Sequence, residues 1–86
     1  KYDLSQNYPN PFNPVTTINY DQLRDGLIII IIYDITGREV KTLLNEIKPA
    51  GYYKIQFNAA DLSSGAYFYR MTAGDFVATK KMVVIK

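Results

Sequence analysis

The residues with any capacity for chemistry are few. Ser63-Ser64-Gly65 offers two hydroxyls, but a serine nucleophile needs a neighbour to take its proton, and the chain has neither histidine nor cysteine. Asp34 and Glu39 flank a short turn-like stretch and could approach one another for acid–base work, although carboxylates beside a turn usually cap it or stay solvated. Asp21 with Asp25, and Asn58 with Asp61, could offer oxygens to calcium. Neither pair has the dense alternating spacing of a dedicated calcium loop. The inventory predicts no catalytic group, no cofactor and no metal site.

Two other residue classes bear on binding. Eight tyrosines invite stacking on sugar rings, but most fall at strand positions where aromatic pairs form core and rim. Tyr52 is the candidate stacking surface, because its neighbour Tyr53 shares register with the expected core and Tyr52 does not. Lys80, Lys81 and Lys86 cluster near the C-terminal end, with only Asp75 offsetting charge after Arg70. Charged residues on a terminal strand keep it from pairing with strangers; alternatively they form a basic tag read by a receptor. A net charge of +2 is too weak to argue for nucleic acid. The longest apolar run, Leu27 to Ile32, is far short of the roughly 20 residues that cross a bilayer, so no membrane insertion is expected.

The elements that must position these residues read as strands. Eighty-six residues make one small domain, which buries only about 60–65% of its unfolded surface. Lys1 to Gln6 read as the remnant of a linker, and a start at Lys1 rather than Met reads as a fragment of a longer chain. In Asn7-Tyr8-Pro9-Asn10-Pro11-Phe12-Asn13-Pro14, three prolines lack an N–H and push their predecessors toward extended geometry. This segment is expected to anchor an edge of a β-domain without pairing fully, with Tyr8 and Phe12 docking and the asparagines bonding nearby backbone.

Alternating β-branched and aromatic residues then predict strands over Val15–Tyr20, Leu27–Tyr33, Arg38–Leu44, Tyr52–Phe57, Ala66–Thr72 and Phe76–Ile85. Turn chemistry separates them at Leu23–Gly26, Asp34–Gly37, Pro49–Gly51 and Gly74-Asp75, with Gly37 free to take positive φ. Asn58 to Gly65 is a loop whose Leu62 plugs one end of the core. Ile18 with Tyr20, then Tyr53, Ile55 and Phe57, then Tyr67, Tyr69 and Met71 each share a face. Lys80-Lys81 breaks the alternation of the last strand and suggests a β-bulge there. No helix or repeat is visible. Six or seven short strands with regular turns predict an all-β, immunoglobulin-like antiparallel β-sandwich of about seven strands, with a small open barrel as the competitor.

Leu27 to Ile32 departs from the usual pattern of one buried and one polar face. With Ile28, Ile30 and Ile32 inward, Leu27, Ile29 and Ile31 face outward as a sticky stripe. These three are expected to form a packing interface with a neighbouring domain or subunit, possible homo-oligomers included.

Taken in order, YPNPFNP, INY, IYDITGREV, AG with YYKIQF, LSSGAYFYRM, AGDF and TKKMVVIK resemble the C-terminal sorting domain of type IX secretion cargo. That family is found on proteins exported across the outer membrane of Bacteroidetes and related bacteria. The resemblance runs from about Leu4 to Lys86, which gives a linker remnant at 1–6 and a sorting domain at 7–86. Pro9, Asn10 and Pro11 match the family's opening, Tyr33, Asp34, Gly37 and Arg38 its hairpin, Gly65 and Tyr67 its glycine-x-tyrosine strand start, and Lys81 its terminal lysine-bearing stretch.

The resemblance implies an immunoglobulin-like sandwich with no enzymatic activity. It also implies an upstream cargo domain in the same chain, recognition by outer-membrane translocon components, and frequent cleavage so that cargo can be anchored to surface lipopolysaccharide. The destination is the cell surface or exterior, by way of periplasm and outer membrane. Gly65, Tyr67, Lys80, Lys81 and Lys86 are the expected recognition residues. Two positions depart from the family: Leu27 to Ile32 lacks polar alternation, and Gln22-Leu23 stands where leucine-proline is common. The alternative is a retained structural module that builds a surface lattice, filament or multidomain extracellular protein by strand or apolar-face packing.

Overall fold

A computed structural model describes residues 1–86. Seven strands form in order: β1 (Asp3–Leu4), β2 (Val15–Gln22), β3 (Gly26–Asp34), β4 (Glu39–Lys48), β5 (Gly51–Asn58), β6 (Gly65–Ala73) and β7 (Phe76–Val84). They make a three-stranded sheet in the order β1-β2-β5 and a four-stranded sheet in the order β4-β3-β6-β7, every pairing antiparallel. The expected all-β sandwich is therefore what the chain forms, with no helix among its elements.

Alternation decides the faces. Ile28, Ile30 and Ile32 are completely buried and meet Ile18, Tyr20, Phe57, Tyr69 and Met71 in one core between the sheets. Full burial of each such side chain contributes about 1.5–3 kcal/mol. Leu62 packs against this core from the β5–β6 loop, as the sequence predicts. Tyr20 and Tyr53 stack at 5.3 Å between centroids.

Several expectations are corrected. Lys1 to Gln6 is not all linker, because Asp3 pairs with Asp21 and Leu4 with Tyr20, and Leu4 is buried in the core. The strand expected over Arg38–Leu44 is β4, which runs on to Lys48. Lys80-Lys81 carries no bulge: the β6–β7 register is unbroken from Gly65↔Val84 to Ala73↔Phe76. Lys80 holds an inward, half-buried position at the sheet edge, the kind of place where a long lysine stem can lie along apolar surface with its amine in water. The register shifts lie instead between β3 and β4, at Ile30/Ile31 and Ile32/Tyr33. They leave Leu43 and Val40 as the extra residues of an edge strand, a device that discourages pairing with foreign strands.

The molecule is elongated, with extents of 37 × 23 × 17 Å, and its strand directions give it two distinct poles. Tyr2 and the β2–β3, β4–β5 and β6–β7 turns lie at the near pole. Residues 7–14, the β3–β4 hairpin, the β5–β6 loop and the end of β7 lie at the far pole. At the near pole Gln22 donates through Nε2 toward the carbonyls of Arg24, Gly26 and Lys48 at 3.0–3.1 Å. One amide thus ties two turns together, although its buried Oε1 has no partner.

Candidate functional site

The proline-rich opening segment cannot pair as a full strand, since proline removes ladder donors. It makes isolated contacts to both sheets instead. Tyr8 and Thr17 exchange two backbone hydrogen bonds at 2.9 Å, which joins the segment to β2. The segment then crosses to β7: Phe12 N–H donates to the Val83 carbonyl and Ile85 N–H to the Phe12 carbonyl, both at 3.0 Å. Val83 N–H donates to Asn10 Oδ1 at 2.9 Å, and Gln6 Nε2 to the Lys81 carbonyl at 2.6 Å. The Tyr8-Pro9, Asn10-Pro11 and Asn13-Pro14 peptide bonds are cis. Of the two rings expected to dock, only Phe12 does. It is buried edge-on to Phe57 at 6.2 Å, whereas Tyr8 is exposed.

Beneath this strap lies a buried polar knot. Asn7 N–H donates to the Tyr69 hydroxyl at 2.8 Å, and that hydroxyl donates to the Ser5 carbonyl at 2.6 Å. Asn7 Nδ2 donates to Thr16 Oγ1 at 3.0 Å, and Thr16 Oγ1 donates to the Pro9 carbonyl at 2.8 Å. Burial pushes the Tyr69 hydroxyl pKa up to about 12, against a smaller opposing effect of its bond from Asn7. The hydroxyl stays protonated and serves as a two-way bracket, not as an acid or base.

The β3–β4 hairpin is built from its own side chains. Asp34 Oδ1 accepts from Thr36 Oγ1 (2.6 Å), Thr36 N–H (2.9 Å) and Arg38 N–H (3.1 Å). The Thr36 hydroxyl bond is the largest of the influences that hold the Asp34 carboxyl below its usual value. Gly37 takes φ 85°, a conformation that costs glycine little and other residues more. Beside the hairpin, the Arg70 guanidinium sits 5.0 Å from the centre of the Tyr33 ring, within reach of a cation–π attraction.

The terminal hairpin β6–β7 carries the expected recognition residues. Gly65 is exposed at the start of β6, and Tyr67 is buried with its hydroxyl donating to the Ser63 carbonyl at 2.8 Å. Lys81 is exposed on the outer face, paired opposite Phe68, whereas Lys80 lies opposite Tyr69 in the inward register. Lys86 is tied down, its N–H donating to Ser64 Oγ at 3.0 Å and its ammonium to the Ala60 carbonyl. The structure thus brings Pro9, Asn10, Pro11, Asp34, Gly37, Arg38, Gly65 and Lys86 to the far pole. It leaves Lys80 and Lys81 along the last strand, and Leu27, Ile29 and Ile31 on the outer face of the four-stranded sheet.

The groups with chemical potential are used in turns. Ser63 and Ser64 hold the β5–β6 loop to Tyr67 and Lys86. Asp25 Oδ1 accepts from Ala50 N–H at 2.8 Å, and Asn58 Oδ1 from Ala60 N–H at 2.9 Å. Tyr52 is 88% exposed on the three-stranded sheet, where it stands without an opposing aromatic to complete a sugar clamp. Sequence reasoning missed Gln6, Asn7 and the Tyr69 hydroxyl. Their partners lie 62 to 75 residues away, and no local pattern announces such a pairing.

A seven-stranded sandwich with its opening segment strapped onto its last strand, and its polar groups given over to turns, defines an all-β structural module. The chain belongs to the secretion system C-terminal sorting domain family, whose profile matches residues 6–86. Domains of this family are sorting signals of type IX secretion and are non-catalytic in general. Membership implies a cargo-bearing chain, interaction with the type IX machinery, and export to the cell surface or exterior. No curated protein and no solved structure matches the chain significantly.

Proposed function

We propose that the type IX translocon reads this domain as a folded address, at its far pole and along the outer side of the terminal hairpin Gly65 to Lys86. The cargo is the domain that precedes it in the same chain. The observation that carries this reading is the strap. Asn10 and Phe12 close on Val83 and Ile85, so the opening and terminal motifs form one continuous surface. In that arrangement Lys81 and Lys86 supply the exposed charge. Gly65 and Tyr67 hold the loop against which Lys86 lies, and Lys80 acts mainly through its packed stem. With the backbone groups of Val83 already bonded to the strap, the readable features there are side chains and not a free strand edge.

Charge reversal tests this in a cargo-bearing chain that carries Lys81→Glu and Lys86→Glu. Both side chains lie at the surface, so folding is retained, and export falls severalfold if they are read. Export at the unaltered level by a folded double variant refutes the assignment. Removing Thr79 to Lys86 is a poorer test, because it also strips Met82 and Val84 from the core.

The outer face of the four-stranded sheet supports a second reading, a retained module that packs on a neighbour. Leu27 is 50% and Val77 58% exposed there, and Ile29 and Ile31 are only half-covered. Mass spectrometry of the mature surface protein separates the two, since a retained module must still contain Gly26 to Asp34. Sedimentation of that protein reports whether the face joins copies of the chain.

A further inference from the structure

The near pole holds a cleft of about 800 Å3. The β2–β3 turn, with Arg24 and Asp25, forms one side, and the β6–β7 turn, with Asp75, forms another. Tyr2 and Phe76 both line it, their rings stacked at 5.3 Å. Leu27, half of whose surface is open, also lines it, as does Ile29. This end of the apolar outer stripe therefore opens into a concavity, whereas Ile31 stands apart from it.

We propose that this cleft is the seat of the segment that directly precedes Lys1 in the cargo-bearing chain. Three observations identify that occupant. Tyr2 is itself part of the cleft, and successive Cα atoms are about 3.8 Å apart, so the preceding residues cannot avoid its neighbourhood. The β1–β2 register places Asp3 opposite Asp21 and Leu4 opposite Tyr20. Continued upstream, that antiparallel path runs beside Gln22 and Leu23 toward Arg24 and Asp25, the opposite side of the cleft. Finally, Tyr2 already shows the mode of docking, with an apolar ring laid against Phe76 from a chain that is not yet in a strand. The segment is extended and seats an apolar side chain between Phe76 and Leu27.

Because the occupant is covalently attached, its effective concentration is of the order of millimolar, and a shallow site suffices to hold it. The docked segment sets the cargo at a fixed angle to the sandwich and covers the part of the stripe that Leu27 and Ile29 expose. The proposal rests on the sorting reading only for the existence of a cargo-bearing chain.

Hydrogen exchange on the complete cargo-bearing chain tests it. The residues directly before Lys1 are replaced by a Gly/Ser sequence of equal length, and amides of Gly26, Leu27, Gly74 and Phe76 are followed. Loss of the docked segment speeds their exchange about tenfold or more, while the core amides of Ile30 and Tyr69 are unchanged. Leu27→Asp in the chain with its natural linker produces the same acceleration. Exchange at the four amides that is indifferent to linker replacement overturns the proposal. Export measured on the same variants keeps the two readings apart. Unchanged export with accelerated exchange supports the cleft as a seat separate from the address, and unchanged export with unchanged exchange removes the cleft alone.

Discussion

Replacing Tyr69 by Phe deletes one oxygen and leaves the ring in place, yet it should loosen the whole opening strap. The hydroxyl accepts from Asn7 N–H at 2.8 Å and donates to the Ser5 carbonyl at 2.6 Å. Tyr69 is fully buried and Asn7 is 2% exposed, so water cannot readily replace the oxygen. An orphaned buried donor costs about 1–3 kcal/mol. The Ser5 carbonyl is less buried and adds less, which gives a total of about 2–4 kcal/mol. Domains of this size carry about 0.05–0.15 kcal/mol of stability per residue, so the loss is a large share of the whole. It corresponds to a fall in Tm of roughly 10–25 °C.

Urea unfolding of Tyr69→Phe against the parent chain measures the loss directly, with an unchanged slope marking an intact denatured state. Amide exchange locates it: Tyr8, Phe12 and Ile85, whose N–H groups bond within the strap, should exchange faster than Ile30 or Met71. A loss below about 0.5 kcal/mol, with those three amides still protected, would refute the idea that this hydroxyl brackets the strap; the lower bound is the net worth of an ordinary hydrogen bond.

Three further outcomes are expected. Ile30→Ala should cost about 2–5 kcal/mol by urea unfolding, because Ile30 is completely buried; Ile31→Ala, on the half-covered outer face, should cost less than about half as much. Burial pushes the Tyr20 and Tyr69 hydroxyls up to about 12 from an ordinary 10. The unfolded chain therefore releases protons first, and stability is held below about pH 10 and falls as pH rises toward 12, which urea midpoints at increasing pH will record. Asp34 titrates below its usual value, so its hairpin contribution is present above the ordinary carboxylate range and lost as pH falls through the lowered value. Asp34→Ala should accelerate exchange of the Thr36 and Arg38 amides at neutral pH and remove that acid dependence.

The faces of the strands were legible because side-chain direction alternates along any strand. Ile28, Ile30 and Ile32 could be set inward from sequence, and Gly37 could be assigned its positive φ from turn chemistry. The bulges were misplaced for a physical reason. Two adjacent lysines look like a break in alternation, but a lysine stem can lie along an inward edge position, so Lys80 leaves the pattern intact. The informative doublet was Leu43-Leu44, two apolar neighbours of which only Leu44 is buried. β1 escaped notice because two residues carry no period. The strap could be expected to touch a β-domain, but not to touch β7, since nothing in Asn10 or Phe12 names a partner more than 70 residues later. Of the site, the matched motif residues were legible by resemblance; the convergence of most of them on one pole, with Lys81 left along β7, required the strand directions.

The order of synthesis gives the strap one more consequence. Asn10 and Phe12 emerge from the ribosome early, but the backbone groups they bind belong to Val83, in the domain's last strand, and to Ile85 just beyond it. A product that stops at the start of β7 can form neither clasp, and it lacks Met82 and Val84 from the core. The clasp thus depends on completion of this domain: the closed pole forms only once β7 has been translated, and a chain cut short before it leaves the opening segment unlatched.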